Sequence, residues 1–156
     1  MPTPNTGTRR SRRTLWTGTV AILAALTLPL TGSVLVSPAA QAGTTATCHA
    51  ASCHGKDPNL TGCARDARTV KTAYADDLKI ELRYSPTCQA AWGRISNGAV
   101  EDEVQIQRSD GASFPRTAIT SGHDAYTPMV NDAGYTARAC GWEYSWINSS
   151  ACTGWY

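Results

Sequence analysis

The sequence has little phenylalanine, methionine or histidine, which are residue types that often fill a hydrophobic core or carry out catalysis. Its 156 residues include one phenylalanine, two methionines and three histidines. It has no G-x-S-x-G nucleophile elbow, and no apolar pattern at helical spacing extends over three turns. The formal net charge is only +2, so the chain lacks the strongly basic character of nucleic-acid-binding proteins. These absences disfavour a helical protein and leave no catalytic constellation to name.

The first 42 residues have the three regions of a secretory signal. Four arginines precede an uncharged apolar run, and Ala40-Gln41-Ala42 then supplies the small residues of a cleavage site. We expect a signal peptide at 1–42, a linker at 43–47 and a single domain at 48–156. The alternative is that the apolar run is retained as a membrane anchor.

Two export routes are open to such a chain. The segment Ser11-Arg12-Arg13-Thr14-Leu15 resembles the twin-arginine export motif. Six cysteines favour the general secretory route instead, because disulfides normally form after export. Loss of the four arginines leaves ten basic and twelve acidic residues, a net charge of −2. We therefore expect a secreted protein with no nucleic-acid partner, and with no membrane contact once the signal is cleaved.

All six cysteines lie in the predicted domain, at Cys48, Cys53, Cys63, Cys88, Cys140 and Cys152. An even number in an exported chain predicts a disulfide framework, for which fifteen pairings are possible in principle. Proximity favours joining the first to the second, the third to the fourth and the fifth to the sixth. The last two of these bridges would each contribute about 3 kcal/mol in the chain-entropy model. Disulfides would therefore compensate for a thin core.

The clearest strand pattern runs from Leu78 to Tyr84, where apolar and charged residues alternate at a two-residue period. Ser85-Pro86-Thr87 marks a turn, and we expect Trp92 on the returning strand. A bulge at Gly93 would place Ile95 beside Trp92. Turn signals recur about every 8 to 12 residues, which is typical of all-β domains. The sequence predicts a small sandwich or barrel of about six to eight short antiparallel strands.

Three other segments carry structural signals of different strength. Asp110-Gly111 predicts a two-residue hairpin turn in which both positions tolerate positive φ. Its partner strand, Ala112 to Thr120, contains Pro115 and should lie at a sheet edge or be interrupted. The segment Ala64 to Lys71 fits either a short helical turn or the approach to a strand at Thr69 to Ala73.

Several segments together resemble one bacterial family. They are C-x(4)-C-x-G-x-D-P-x(3)-G-C from Cys48 to Cys63, LRYSPTCQAAWGRI from Leu82 to Ile95, and the later Arg138-Ala139-Cys140-Gly141 and Ala151-Cys152-Thr153. The family is called domain of unknown function 2690, the YjfA-like secreted proteins. The resemblance implies export, one domain and bridged cysteines, and it supplies no catalytic residue to carry over.

Several groups of polar residues have the residue types of a reactive site. Cys48-His49, Cys53-His54 and Cys63 resemble metal ligands, but oxidised cysteines cannot bind zinc as thiolates, so we expect no metal and no cofactor. Ser121, His123 and Asp124 have the residue types of an acyl-transfer triad, yet near neighbours in a turn cannot easily converge.

Clustered carboxylates are the third such group. The residues are Asp76, Asp77, Glu81, Glu101, Asp102 and Glu103. Two of them could supply the pair that a glycosidase requires, although clustered acids in a strand-and-turn protein are usually solvated. We therefore name no catalytic residue.

The carboxyl-terminal segment GWEYSWINSSACTGWY is rich in aromatic residues. Trp142, Tyr144 and Trp146 alternate, so they share one face if the segment is extended. Such a row could stack on the rings of a wall polysaccharide, and the alternative is that it completes a thin core. We expect the segment to pack against the sheet, held there by a bridge between Cys140 and Cys152.

The function that the sequence favours is non-enzymatic binding outside the cell or at the cell envelope. A cell-wall polysaccharide and an extracellular protein are the two candidate partners. One alternative is a secreted inhibitor or toxin-like effector that presents the bridged loop from Cys48 to Cys63. A second alternative is a small secreted hydrolase, in which His123 or Glu81 would have to support the activity.

Overall fold

The structure is a computed structural model that describes residues 45–144 and 148–156. All of these residues lie in one compact unit of the chain. The predicted signal peptide at 1–42 lies outside the described residues, so its cleavage stays a prediction. Within the described residues, no helix is long and apolar enough to cross a membrane.

The described residues form nine strands and two short 3-10 turns, and they contain no α-helix. The strands are β1 (Arg68–Ala75), β2 (Leu78–Ser85), β3 (Ala90–Ser96), β4 (Glu103–Arg108), β5 (Thr117–Ala118), β6 (Asp124–Tyr126), β7 (Val130–Asn131), β8 (Ala137–Glu143) and β9 (Ser149–Cys152). The all-β prediction is confirmed, as two antiparallel sheets and not as a closed barrel.

The first sheet, sheet A, has the order β1-β2-β3-β6, and β7 also pairs with β3. The alternating pattern from Leu78 becomes β2, which pairs on both sides. For the segment Ala64 to Lys71 the sequence left open a short helical turn or the approach to a strand. The structure has both, because the 3-10 turn Cys63–Arg65 is followed by β1. The register of β1 against β2 shifts between Thr69 and Lys71, so a bulge lies there.

The second sheet, sheet B, has the order β5-β4-β8-β9. Strand β5 is only two residues long and lies at the edge, as Pro115 predicts. The hairpin at Asp110-Gly111 forms, but its loop has three residues, since the Arg108 amide donates to the Ala112 carbonyl. Within this loop only Gly111 has a positive φ, of 91°, so the prediction of a two-residue turn with two positive φ values was wrong.

An aliphatic core fills the space between the two sheets. Sheet A contributes Leu78, Ile80, Leu82 and Ile95, and sheet B contributes Val104 and Ile106. Gly141 in β8 allows the sheets to approach closely, because a Cβ at this position would lie 2.6 Å from Ile80 Cγ1. Burial of each large aliphatic side chain contributes about 1.5–3 kcal/mol.

A second core, which we call the disulfide core, lies on the opposite face of sheet A. It contains Trp92, Met129 and the disulfides Cys48–Cys53 and Cys63–Cys88. The amino-terminal loop covers this end of the sheet, and the Gly55 amide donates to the Met129 carbonyl at 2.8 Å. The pairings are those that proximity favours.

The prediction of a β-bulge at Gly93 was wrong. Strand β3 pairs with β2 in an unbroken register, in which Leu82 faces Gly93 and Arg83 faces Trp92. Trp92 therefore points into the disulfide core and Ile95 into the aliphatic core. Gly93 serves close packing instead, since a Cβ there would lie 2.9 Å from Val104 Cγ2.

The carboxyl-terminal residues continue sheet B beyond β9. Cys140 and Cys152 are directly opposite each other in β8 and β9 and form the third disulfide. The Tyr156 amide donates to the Ala137 carbonyl at 3.1 Å, and the Ala137 amide donates to the Tyr156 carbonyl at 3.0 Å. The last residues thus pack along β8, as the sequence predicts.

Candidate functional site

The outer face of sheet B carries the aromatic residues that the sequence singles out. Gly141 packs inward against Ile80, so the alternation of the strand turns Trp142 outward. Tyr144 follows the end of β8, where its backbone amide donates to Asp102 Oδ1 at 2.9 Å. Trp146 lies outside the described residues.

Arg116 joins Trp142 to Tyr144. Its guanidinium carbon lies 3.6 Å from the centre of the Trp142 ring, which is the geometry of a cation–π contact. Nη1 of Arg116 donates to the Tyr144 hydroxyl at 2.8 Å and to Glu103 Oε2 at 3.1 Å. The Tyr144 hydroxyl donates to the same carboxylate oxygen at 2.8 Å. This hydrogen bond to Glu103 is the main cause of the raised pKa of Tyr144.

Trp155 is the aromatic residue of this face that the sequence argument missed. The residue is 43% exposed, and the Arg138 guanidinium carbon lies 4.8 Å from the centre of its ring. Nε of Arg138 donates to Gln107 Oε1 at 2.9 Å. An open depression of about 330 Å³ lies beside the ring and is also lined by Ser113.

We call Trp142, Tyr144, Trp155, Arg116 and Arg138 the aromatic face. Trp142 and Arg138 are four residues apart in β8, so they are separated by about 13 Å along the strand. The disulfide between Cys140 and Cys152 lies between them on the same face. The face therefore presents two tryptophan–arginine pairs at its two ends, on a rigid sheet.

The cysteines that resemble metal ligands in residue type are oxidised in the structure, as the sequence predicts. Sulfur atoms of Cys48, Cys53, Cys63 and Cys88 lie within 4.8 Å of one another, but they form two adjacent disulfides. The sulfurs of Cys48 and Cys63, which belong to different disulfides, are 3.6 Å apart. This cluster is the centre of the disulfide core, and as disulfides its sulfurs are not the thiolates that zinc requires.

Two residues that a hydrolase hypothesis would need, His123 and Glu81, are each held by partners within the described part of the chain. His123 Nδ1 lies 2.9 Å from the Gly98 carbonyl oxygen, so its ring is held by backbone. Glu81 is buried and accepts hydrogen bonds from Lys79 and Thr69. Burial acts to raise the pKa of Glu81, but these hydrogen bonds outweigh it and the pKa is lowered. Glu81 is therefore an ionised structural carboxylate.

Comparison with known proteins agrees with the resemblance seen in the sequence. A family model described as a protein of unknown function, DUF2690, matches residues 51–140, which is more than half of the chain. The chain belongs to the DUF2690 family. The DUF2690 match contains most of both sheets and ends before Trp142, so the aromatic face extends beyond it.

One DUF2690-like relative is the "Uncharacterized protein YjfA" of Bacillus subtilis (strain 168). It is 28% identical to this chain, over 50% of the chain and 62% of the relative. The chain thus covers less than two thirds of the length of that protein. No solved structure matches the chain.

Proposed function

We propose that this protein is a non-enzymatic binding protein of the cell exterior, with the aromatic face as its polysaccharide-binding surface. The observation that carries the proposal is the pair of tryptophans on one outward sheet face, each beside an arginine. Aromatic rings pack on the apolar faces of sugar rings, while guanidinium and amide groups bond to hydroxyls. Three disulfides fit a protein that works in an oxidising compartment.

The two ends of the face differ in how accessible their rings are. The Arg116 guanidinium covers the Trp142 ring and is itself fixed by Glu103 and Tyr144. The Trp155 ring is more open and adjoins the polar-lined depression. We therefore assign the larger share of the binding free energy to Trp155. Trp142 contributes less and helps to position the polysaccharide.

The test is a pull-down of the purified oxidised protein, without residues 1–42, on insoluble cell wall, peptidoglycan and chitin, followed by tryptophan fluorescence. We expect saturable binding to at least one of the three. Trp155→Ala should weaken that binding about tenfold or more, because truncation of an aromatic residue that anchors a ligand costs about 1.4 kcal/mol or more. Trp142→Ala should have a smaller effect.

Tyr74→Ala is the matched control, because Tyr74 is an exposed aromatic residue on sheet A. It should bind like the parent protein, and circular dichroism should show that all variants are folded. Absence of binding to all three polymers, or an equal loss in the Tyr74 variant, would contradict the proposal.

A second candidate function is that of a secreted inhibitor or toxin-like effector, and Leu60 is the observation that favours it. This side chain is 86% exposed in the loop between Cys53 and Cys63. Asp57 Oδ1 accepts hydrogen bonds from the Asn59 and Leu60 amides at 2.7 and 3.0 Å, so the loop is fixed as a turn. Inhibition of a secreted protease that Leu60→Asp abolishes would support this function over the first.

A further inference from the structure

A cleft lies on the outer face of sheet A, at the border of the disulfide core. It has a volume of about 220 Å³ and lies on the sheet opposite to the one that carries the aromatic face. Its lining residues come from four separate parts of the chain and are Asn59, Ala64, Arg83, Trp92, Arg94, Asp124 and Tyr126. All of them fall within the range matched by the DUF2690 model.

Two arginines on neighbouring strands define the chemistry of this cleft. Arg83 faces Trp92 across β2 and β3, and Glu81 faces Arg94, so the two arginines are diagonal neighbours. Such positions are about 7–8 Å apart. Two guanidinium groups on long side chains at this distance can converge on one carboxylate or phosphate group.

Arg83 is fixed in position by the protein. Its Nη1 donates to Thr69 Oγ1 at 2.8 Å and its Nη2 donates to the Ala67 carbonyl at 3.0 Å. These two bonds orient the planar guanidinium while leaving other donors unused. A guanidinium fixed in this way loses little further conformational freedom when it binds an anion.

Arg94 is held only loosely. Its guanidinium lies 3.7 Å from Glu81 Oε2 and 3.8 Å from Asp124 Oδ2, and it makes no direct hydrogen bond to any described residue. Lys79 donates at 2.8 Å to Oε1, the other oxygen of this carboxylate, and Arg94 stays beyond hydrogen-bond distance of Oε2. Asp124 is 57% exposed and is the weaker competitor for Arg94. The donors of Arg94 are therefore available to a ligand.

The remaining walls of the cleft fit a sugar ring. Tyr126 provides aromatic surface and Asn59 provides an amide, while Trp92 lines the cleft but is only 4% exposed. The Tyr126 hydroxyl donates to Asp57 Oδ2 at 3.1 Å, which anchors this wall to the loop. We propose that the cleft binds an acidic sugar, with its carboxylate or phosphate group between Arg83 and Arg94.

The test measures binding of three probes that share one ring, galacturonate, galactose 6-phosphate and galactose, by titration of the ¹⁵N-labelled protein. We expect one or both anionic probes to bind, and galactose to bind at least about tenfold more weakly, since it lacks the charged group that the two arginines would bind. Preference between the two anionic probes identifies the group that the site accepts.

Three variants make the assignment specific. Arg94→Gln should weaken binding of the anionic probe about tenfold or more. Asp124→Asn should strengthen it about two- to fivefold, because a competing exposed carboxylate is removed. Lys71→Gln, which removes a positive charge on strand β1 of the same sheet and outside the cleft, should leave binding unchanged.

The proposal for the cleft and the proposal for the aromatic face can be disproved independently of each other. Trp155→Ala should leave galacturonate binding intact, because Trp155 belongs to sheet B. Equal binding of all three probes, no binding of any of them, or an equal loss in the Lys71 and Arg94 variants would overturn the proposal. A gain in affinity on Asp124→Asn is the result that a purely structural role of these residues would not give.

Discussion

The aliphatic core and the disulfide core lie on opposite faces of sheet A and are held together by different forces. The first consists of branched aliphatic side chains from two sheets. The second contains four cysteines, one tryptophan and one methionine as its larger members. Sheet A thus carries two cores of unequal apolar content.

The difference follows from the sequences of the covering elements. Sheet B supplies the buried side chains of Val104 and Ile106 from alternate positions of β4, so hydrophobic burial can attach this sheet. The loop from Cys48 to Cys63 has one large aliphatic residue, Leu60, which is exposed. Because this loop has little apolar surface to bury, covalent bonds must restrict its unfolded state instead. A small domain can therefore attach a polar loop over a sheet when disulfides replace burial.

The largest expected effect tests the disulfide core. Replacing Cys63 and Cys88 together by alanine should lower the free energy of unfolding by about 3–4 kcal/mol, because their bridge closes a long loop in the unfolded chain. The sequence separation of this pair is 25. Urea unfolding followed by tryptophan fluorescence measures the loss, and Trp92 in the same core reports it locally.

Cys48 and Cys53 provide the matched comparison in the same core. Their sequence separation is only 5, so the same double replacement should cost about 2 kcal/mol. Equal losses for the two pairs would show that packing of the sulfur atoms, and not loop closure, stabilises the disulfide core. The contrast with the aliphatic core would then be much weaker.

A substitution of intermediate effect tests the aliphatic core. Gly141→Ala should destabilise the protein by about 1–3 kcal/mol, because the added Cβ would lie 2.6 Å from Ile80 Cγ1 and force the sheets apart. Combining it with Ile80→Ala should cost less than the sum of the two single changes, since the smaller side chain leaves room for the methyl group.

Gly154→Ala is the control for this change. Gly154 lies in the same carboxyl-terminal half of the chain, and a Cβ there would meet no atom within 4 Å. Its effect on urea unfolding should be within about 0.5 kcal/mol. If Gly141→Ala were equally harmless, the two sheets would not be packed as closely as the aliphatic core requires.

The two cores also explain which predictions from the sequence succeeded. Strand β2 was evident because its alternation places Leu78, Ile80 and Leu82 together in the aliphatic core. The bulge at Gly93 was predicted on the assumption that Trp92 and Ile95 share a single core, and it failed because sheet A has a core on each face. Periodicity identifies which residues share a face, but it does not show what covers that face.

The candidate sites were less accessible to sequence reasoning than the fold. Trp142 and Tyr144 could be found because they are two residues apart in one segment, whereas Trp155 joins them only through the pairing of the last residues with β8. The cleft brings together Asn59, Arg94 and Asp124, which are far apart in the sequence. No local pattern in the sequence marks such a site. It arises from the order of the strands and from the position of the disulfide-bonded loop from Cys48 to Cys63.

The smallest expected effect concerns Asp132, which follows β7 where the two cores meet. Met129 before this strand belongs to the disulfide core, and Val130 within it belongs to the aliphatic core. Asp132 Oδ1 is buried and has no hydrogen-bond partner among the described residues. Burial raises the pKa of Asp132 to about 7, although the charge of Arg108 opposes the shift.

The sign of the pH dependence follows from the two pKa values. The carboxyl ionises at about 3.9 in the unfolded chain, so between about pH 4 and 7 it loses its proton there while the folded form keeps it. Stability therefore falls as the pH rises through this window. Asp132→Asn removes the ionisation and should raise the free energy of unfolding at pH 8 by about 1 kcal/mol, after allowance for solvent screening. At pH 3.5 the variant should match the parent protein.

Asp110→Asn provides a control of opposite sign. The hydrogen bond from Arg108 lowers the pKa of this exposed carboxyl to about 2, so its contribution is present above about pH 4 and is lost as the pH falls through about 2. Asp110→Asn should therefore destabilise the protein at pH 8, where Asp132→Asn stabilises it. If Asp132→Asn lowered the urea midpoint at pH 8, as Asp110→Asn is expected to do, the buried carboxylate would not weaken the contact between the two cores. The aliphatic and disulfide cores would then meet without an electrostatic cost.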